Sequence, residues 1–347
     1  MSRTTPHLCR FVPPFVLERI ALEGTREQRE WAIRTLAIDH SIRAVRLQHG
    51  TRLGPAGLLA ATPGQVDRTI ADAQHGNDPG AAVVVRREGQ PPTRDAAVDE
   101  AYDGFGATHA LYWEVYRRDS IDGQGMPLLG VVHYGREFDN AFWDGERMIF
   151  GDGDGQTLRH FTGAVDVIGH ELTHGVTQHT CNLDYVGQPG ALNESISDVF
   201  GSLVKQRLRG QDVNAADWLV GDGVLGPALK GQALRSLAEP GTAFEYDSQP
   251  SRMTAFVHTD QDNGGVHINS GIPNHAFYLA AMEIGGRAWE AAGQIWYETL
   301  LDPGLGPGAR FHQFAVATVH AAERLHGAGA AETRAVRSAW LEVGITA

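Results

Sequence analysis

The feature that most constrains this chain is a short motif inside a helical pattern, His170-Glu171-Leu172-Thr173-His174. Residues four apart lie on one face of a helix, so both imidazoles can bind one metal ion, and Zn²⁺ readily takes such nitrogen ligands. Glu171 lies beside that face, where it can accept a proton from water on the metal. The motif therefore predicts a zinc site on a helix over residues 165–179.

A carboxylate twenty residues after His174 completes this predicted site. Glu194 lies in a second predicted helix, 192–208, and a ligand set of two histidines and one glutamate leaves one position open for water. Asp198 is one turn further on the same face, where it can accept the free N–H of a ligand histidine. The alternative, two solvated helix charges, is opposed by the apolar residues around both acids.

A further histidine lies in a glycine-rich segment, residues 262–271. His267 follows Asp262 by five residues across a Gly-Gly turn, so the carboxylate can orient the imidazole and keep it cationic. A cationic His267 can donate a hydrogen bond to an oxyanion that forms at a carbonyl group. Taken alone, the segment also fits a histidine with a purely structural role.

The apolar pattern of the body predicts an α+β fold. Short apolar runs cut by glycine turns indicate strands over 82–85, 128–134 and 147–150, with one helix over 96–116. From residue 165 onward helical patterns dominate, over 165–179, 192–208, 271–284, 288–300, 309–326 and 332–343. A β-rich half followed by an α-rich half is typical of this fold class.

The first 60 residues differ from the rest in charge. They hold nine arginines and five acidic residues, whereas the remainder has 20 basic and 37 acidic residues. A basic head and an acidic body can attract each other, although chance with a solvated helix face explains the pattern equally well. Pro14 and a capping box from Thr25 to Gln28 predict two helices, and the breaker-rich run 50–65 predicts a linker.

Composition excludes several classes of protein. The formal net charge of −13 argues against nucleic acid as the main partner. Two cysteines cannot form a disulfide framework. We expect no membrane span and no Sec-type signal peptide, and hence a secreted or cytoplasmic protein in which any export uses another route.

Taken together, the motifs at 170–174, 193–198 and 262–271 resemble those of the thermolysin family of zinc endopeptidases, over about residues 66–347. The head resembles the short propeptide of the protealysin-like branch, because Cys9 stands shortly before a Pro-Pro pair. The resemblance implies a thermolysin-like two-domain metallopeptidase, with a β-rich N-terminal half, an α-helical C-terminal half and the zinc site between them. The expected boundaries are 1–60 for a small helical propeptide and linker, 61–180 for the β-rich domain and 181–347 for the helical domain.

The same resemblance implies roles for individual residues. The zinc ligands are His170, His174 and Glu194, with Glu171 as the general base. Tyr185 and His267 stabilise the oxyanion, and Asp262 orients His267. Substrate is held by Asn140, Ala141 and Arg235, while Leu234, Val167 and Phe161 line a pocket that favours a bulky apolar residue just after the cut.

The predicted function is that of a neutral zinc metalloendopeptidase made as a zymogen, a monomer that acts on proteins or peptides and is bound by its own propeptide. Two alternatives remain at this stage. One is a catalytically silent metal-binding module, which would need a broken base or oxyanion set. The other is a chain that stays latent because the head is a permanent inhibitor domain.

Two positions bear on metals beyond the single zinc ion. Lys205 stands where calcium-dependent members of the family carry a second acid, and an ammonium group cannot ligate Ca²⁺. Lys205 therefore argues against a paired calcium site and leaves calcium binding elsewhere open. The run 151–155 fits a turn better than a calcium-binding loop. Cys9 either ligates zinc in the precursor and keeps it latent, or is a small thiol packed beside the prolines.

Overall fold

The computed structural model describes residues 10–49 and 62–347. Cys9 and most of the predicted linker lie outside these residues, so the proposed roles of both stay predictions. The described chain has the expected α+β organisation, with a five-stranded sheet in the first half and helices through the second. Within the described ranges, no helix is both long and apolar enough to cross a membrane.

The head consists of two helices packed on the body, α1 (Pro14–Glu23) and α2 (Arg26–His49). Pro14 lies in the first turn of α1, where its missing N–H costs nothing. The predicted capping box is present before α2, because the Thr25 amide donates to Gln28 Oε1 at 2.8 Å and the Gln28 amide donates to Thr25 Oγ1 at 3.3 Å. Apolar side chains of α1 join the main core, namely Val16, Leu17 and Ile20.

The sheet has the strand order β2-β1-β3-β5-β4. Its strands are β1 (Arg68–Asp72), β2 (Val83–Arg87), β3 (Leu128–Val132), β4 (Ala141–Trp143) and β5 (Met148–Phe150). Strand β3 pairs in parallel with β1 and β5, whereas the outer strands β2 and β4 pair antiparallel. The prediction that a strand continues to residue 134 is wrong, because His133 takes a φ of 53° that ends the extended backbone.

Helices form the other layer and most of the second half. They are α3 (Ala96–Ala110), α4 (Val165–Gln178), α5 (Gly187–Arg209), α6 (Asp262–Asn269), α7 (Gly271–Ile284), α8 (Ala291–Leu300), α9 (Phe311–His326) and α10 (Ala331–Glu342), with a π-helical turn (Leu111–Val115) after α3. A two-stranded ribbon, β6 (Leu219–Val220) with β7 (Arg235–Ser236), lies beside them. The predicted start of α5 at 192 is five residues late, because Pro189 is tolerated in a first turn whose N–H groups need no helical partner.

Two glycines let α4 and α5 pack closely. A Cβ added to Gly169 would lie 3.0 Å from the Cα of Gly201, and a Cβ added to Gly201 would lie 2.4 Å from the carbonyl oxygen of Asp166. Any side chain at either position would push the helices apart. The contact fixes the distance between the helix that carries His170 and His174 and the helix that carries Glu194.

Lys205, near the end of α5, is buried among oxygen atoms. Its Nζ lies 3.1 Å from Asp166, 2.8 Å from Asp217 and 2.6 Å from the carbonyl oxygen of Leu219. Burial alone lowers the pKa of Lys205, but the two carboxylates outweigh it and raise the pKa above its usual value. A positive charge fixed in the chain therefore neutralises this acidic position.

We expect the Lys205→Met variant to be strongly destabilised, because it leaves the buried carboxylate of Asp166 without its counterion, whereas Asp217 keeps its pairing with Arg209. Breaking a buried ion pair in this way costs about 3–5 kcal/mol. Since the folded pKa is raised, the stabilisation is complete at neutral pH and is lost only as the pH rises through that raised pKa. Urea unfolding at pH 7 measures the change, with exposed Lys230→Met as the matched control. Equal midpoints for the two variants would contradict the assignment.

Candidate active site

The predicted zinc ligands come together between α4 and α5. His170, His174 and Glu194 are all buried, and one donor atom of each lies within 4.8 Å of the others. The Nε2 atoms of the two histidines face each other at 3.1 Å, and the Glu194 carboxylate lies 3.5–3.6 Å from them. Glu194 Oε2 is buried with no hydrogen-bond partner. Two convergent imidazole nitrogens beside an unpartnered carboxylate oxygen fit a Zn²⁺ ion.

A buried chain of polar contacts orients the first predicted ligand, His170. Its Nδ1 lies 2.8 Å from Asp198 Oδ1, as predicted, and Asp198 is paired with Arg235 Nε at 2.9 Å. Burial alone raises the pKa of Asp198, but the Arg235 guanidinium holds it well below the usual range. Asn274 Nδ2 also donates to Asp198 at 2.9 Å. Sequence reasoning missed Asn274, which comes from a distant helix with no motif signal.

The second predicted ligand, His174, is held by two residues of the neighbouring helix α5. Its Nδ1 lies 2.8 Å from Asn193 Oδ1 and 3.1 Å from Ser197 Oγ. Burial, and then the neighbouring His170, hold the pKa of His174 well below its usual value, so the imidazole is neutral as a metal ligand requires. Neither Asn193 nor Ser197 was assigned from the sequence, although their four-residue spacing places them on one helix face.

Glu171 is buried beside the ligands. One carboxylate oxygen accepts the amide of Trp143 at 2.9 Å, and the other has no hydrogen-bond partner. Burial, and then the charge of Glu194, raise the pKa of Glu171 well above its usual value. A carboxyl group in this environment is suited to take up a proton and pass it on.

Two hydrogen-bond donors converge on the other side of the ligand set. Asp262 accepts from His267 Nδ1 at 2.6 Å and from the His267 amide at 2.9 Å. Burial alone lowers the pKa of His267, but Asp262 and then Glu194 raise it to about 9, so the imidazole is cationic at neutral pH. The Tyr185 hydroxyl donates to Glu194 and lies 3.3 Å from His267 Nε2.

The segment over residues 10–12 of the head lies in the cleft beside these groups. The Phe11 amide donates to the carbonyl oxygen of Ala141 at 3.1 Å, and the Val12 amide donates to Asn140 Oδ1 at 3.0 Å. Arg235 donates to the carbonyl oxygen of Phe11 at 3.0 Å. The three residues that the sequence assigns to substrate binding thus all contact the head.

A closed apolar pocket holds the Phe11 ring. Its ring stands edge-on to His170 at 5.2 Å and to Phe161 at 6.4 Å between centroids, and Arg235 lies 4.5 Å from its centre. Gly221 forms another wall, because a Cβ there would lie 3.0 Å from the ring. This last residue was not predicted. The other predicted pocket residues are buried in the same apolar cluster, namely Leu234 and Val167.

Comparison with known proteins decides the family. A model of the thermolysin metallopeptidase catalytic domain matches residues 28–178, and a model of the thermolysin metallopeptidase alpha-helical domain matches residues 181–345. The chain belongs to the thermolysin family of metallopeptidases. It is a thermolysin-like enzyme with the two-domain fold that the sequence predicts.

Individual relatives agree over nearly the whole chain. An extracellular metalloprotease of Pectobacterium carotovorum subsp. carotovorum is 48% identical, over 97% of this chain and 96% of that protein. Protease PrtS of Photorhabdus sp. (strain Az29) is 42% identical, over 96% of this chain and 91% of that protein. The solved precursor of protealysin, a metalloproteinase from Serratia proteamaculans, is 45% identical and superposes with a TM-score of 0.89, over 97% of this chain and 100% of that one.

The contacts of Asp198 with His170 and Arg235 predict how loss of the Asp198 charge would change the affinity of this thermolysin-like enzyme for zinc. Asp198→Asn keeps the size of the side chain but takes the negative charge from His170 and Arg235. We expect zinc affinity to fall about 10–100-fold, as for other partners of ligand histidines. Competition with a chromogenic chelator measures the affinity, with exposed Asp260→Asn as the control. A folded variant with unchanged affinity would show that Asp198 does not support the ligand.

Proposed function

We propose that this chain is a zinc endopeptidase made as a zymogen and secreted as a monomer. Residues 1–60 are its propeptide and linker, 61–180 the β-rich domain and 181–347 the helical domain. The main support is the segment 10–12, which lies in the cleft next to the predicted metal ligands. The extracellular names of two relatives support secretion, and the precursor form of the protealysin structure supports the zymogen.

The geometry suggests how a peptide bond would be hydrolysed. A bound Zn²⁺, held by His170, His174 and Glu194, supplies Lewis-acid chemistry that polarises a carbonyl and acidifies water. Glu171 takes a proton from the attacking water, whose oxygen forms a bond to the carbonyl carbon. His267 and Tyr185 donate hydrogen bonds to the oxyanion. These bonds are stronger than those to the carbonyl oxygen of the bound substrate, so they stabilise the transition state more than the ground state. The C–N bond then breaks, and Glu171 passes its proton to the leaving amine.

The pocket around Phe11 supports a preference for a bulky apolar residue just after the cut. Its lining includes the rings of His170 and Phe161 and the guanidinium of Arg235, and the Phe11 ring inside it is fully shielded from water. Arg235 would hold the carbonyl oxygen of that residue, as it holds the one of Phe11. Asn140 and Ala141 would hold the backbone of the substrate as an added strand beside β4.

The intact set of chemical groups argues against a silent binding module. Glu171, Tyr185 and His267 are all present and buried around the ligands. Removal of the head would distinguish a propeptide from a permanent inhibitor, and the predicted cut lies in the linker, most of which is outside the described residues. Premature activity of a Cys9→Ser precursor would support zinc ligation by Cys9, and unchanged latency would support the packing role.

The first test of this function is the Glu171→Gln variant. It should bind one Zn²⁺ per chain but lose peptide hydrolysis by ~10²-fold or more, because the amide cannot take the proton from water. Metal content and turnover are measured on a peptide with Phe or Leu after the scissile bond. Turnover close to that of the wild type would rule out the proposed base.

A second test concerns removal of the head. Purified wild-type chain should lose its first 50–65 residues with time and gain activity, while Glu171→Gln incubated alone should stay whole. The linker contains bulky apolar residues that the pocket should accept just after the cut, namely Leu53, Leu58 and Leu59. Equal maturation of the inactive variant, free of other proteases, would exclude self-processing. Full activity of the uncut chain would exclude the propeptide role.

A third test addresses calcium. Lys205 already neutralises the acidic position, so the thermal midpoint should change little between millimolar Ca²⁺ and a calcium-selective chelator. A site filled at 100 times its Kd would add roughly 2.7 kcal/mol to the free energy of unfolding. A shift of several degrees would reveal a calcium site elsewhere in the protein.

A further inference from the structure

The docked head presents one of its own peptide bonds at the catalytic groups. The carbonyl oxygen of Arg10 accepts from His267 Nε2 at 2.8 Å, and this nitrogen lies 3.3 Å from the Tyr185 hydroxyl. These two groups are the donors that the mechanism assigns to the oxyanion. The carbonyl that contacts His267 belongs to Arg10, which immediately precedes Phe11, the residue in the pocket.

The contacts on both sides of this bond fix the same register. The Phe11 amide donates to Ala141, and the Phe11 carbonyl oxygen accepts from Arg235. The Phe11 ring lies in the pocket, below the Arg235 guanidinium. The next residue, Val12, adds its amide to Asn140 at 3.0 Å. Successive backbone groups therefore bind in the order that a substrate would use with Phe11 just after the cut. A reversed or shifted chain would not satisfy all of these contacts.

We infer that the Arg10–Phe11 bond is a substrate of the active site that it fills, cut within its own molecule. The inference rests on the proposed peptidase function. In the reaction, the oxygen of one water molecule bonds to the carbonyl carbon of Arg10 and the C–N bond to Phe11 breaks. One proton of that water reaches the leaving nitrogen of Phe11 through Glu171, and the second passes from the new carboxyl group of Arg10 to the amine, which leaves a carboxylate on Arg10 and an ammonium group on Phe11. This cut is separate from any cut in the linker.

The packing of the head holds the Arg10–Phe11 bond in place. After the cut, the same packing would hold the fragment that begins at Phe11. Pro13 and Pro14 follow Val12 directly, and α1 then buries three apolar side chains in the core of the body. The effective concentration of the bond at the catalytic groups is therefore set by the fold. The rate of the cut should not depend on the concentration of the protein.

The test uses the full-length chain purified with a chelator, to which Zn²⁺ is then added. Intact-mass measurement and N-terminal sequencing should find a new amino terminus at Phe11, with a first-order rate that stays constant on dilution. In the metal-free Glu171→Gln chain, hydrogen exchange should be slow at the amides of Phe11 and Val12. Fast exchange at both amides would show that the segment is not docked, which would overturn the inference.

Matched variants separate this cut from other processing. Phe11→Ala removes the pocket anchor and should lose the cut, whereas Phe15→Ala, which changes a half-buried ring on α1, should keep it. Glu171→Gln mixed with the wild type should be cut in its linker but stay whole at Arg10–Phe11, since that bond lies inside its own cleft. A rate that rises with protein concentration would contradict a cut within one molecule.

One further comparison distinguishes failure of this inference from failure of the proposed function. Head-free enzyme from the maturation experiment is assayed on a separate peptide with Phe after the scissile bond. Hydrolysis of that peptide, with Arg10–Phe11 left whole in the full-length chain, would reject the inference and leave the peptidase function standing. Loss of both reactions would reject the peptidase function as well.

Discussion

Helices α4 and α5 bring their metal-binding side chains together only because they meet at two glycines. Gly169 and Gly201 let the helix backbones approach so closely that a Cβ on Gly201 would lie 2.4 Å from the carbonyl oxygen of Asp166. The spacing of His170 and His174 on one helix and Glu194 on the other then follows from helical geometry. Every other contact of the site is arranged around this crossing, including the sheet edge at Trp143, whose amide holds Glu171.

Electrostatic pairing links the metal ligands to the substrate cleft. His170 contacts Asp198, Asp198 contacts Arg235, and Arg235 reaches the docked head. Each group in this series is buried, so each charge needs the next one as its partner. The docked head at the end of the series accepts a hydrogen bond from Arg235 Nη1, while Arg235 Nη2 is buried with no hydrogen-bond partner. Occupancy of the cleft and the orientation of a ligand histidine are thereby parts of one polar network.

The sequence was informative where a local pattern carried the signal. The motif around His170, the helices of the second half and the capping box at Thr25 all rest on short-range periodicity, and the structure has them. Long-range contacts had no such signal: Asn274 behind Asp198, Gly221 beside Phe11 and Asp217 beside Lys205 depend on tertiary packing. The early start of α5 was missed because its first turn tolerates residues that elsewhere break a helix.

Helix α5 runs without interruption from Gly187 to Arg209 and carries Glu194, Asp198 and Lys205 on a single rigid element. The active site and the structural anchor at Lys205 thus belong to one cooperative folding unit. Partial melting around the metal ligands would require α5 to lose its packing along its whole length. Heat that melts α5 should therefore disrupt the predicted metal ligand Glu194 and the anchor at Lys205 in the same step.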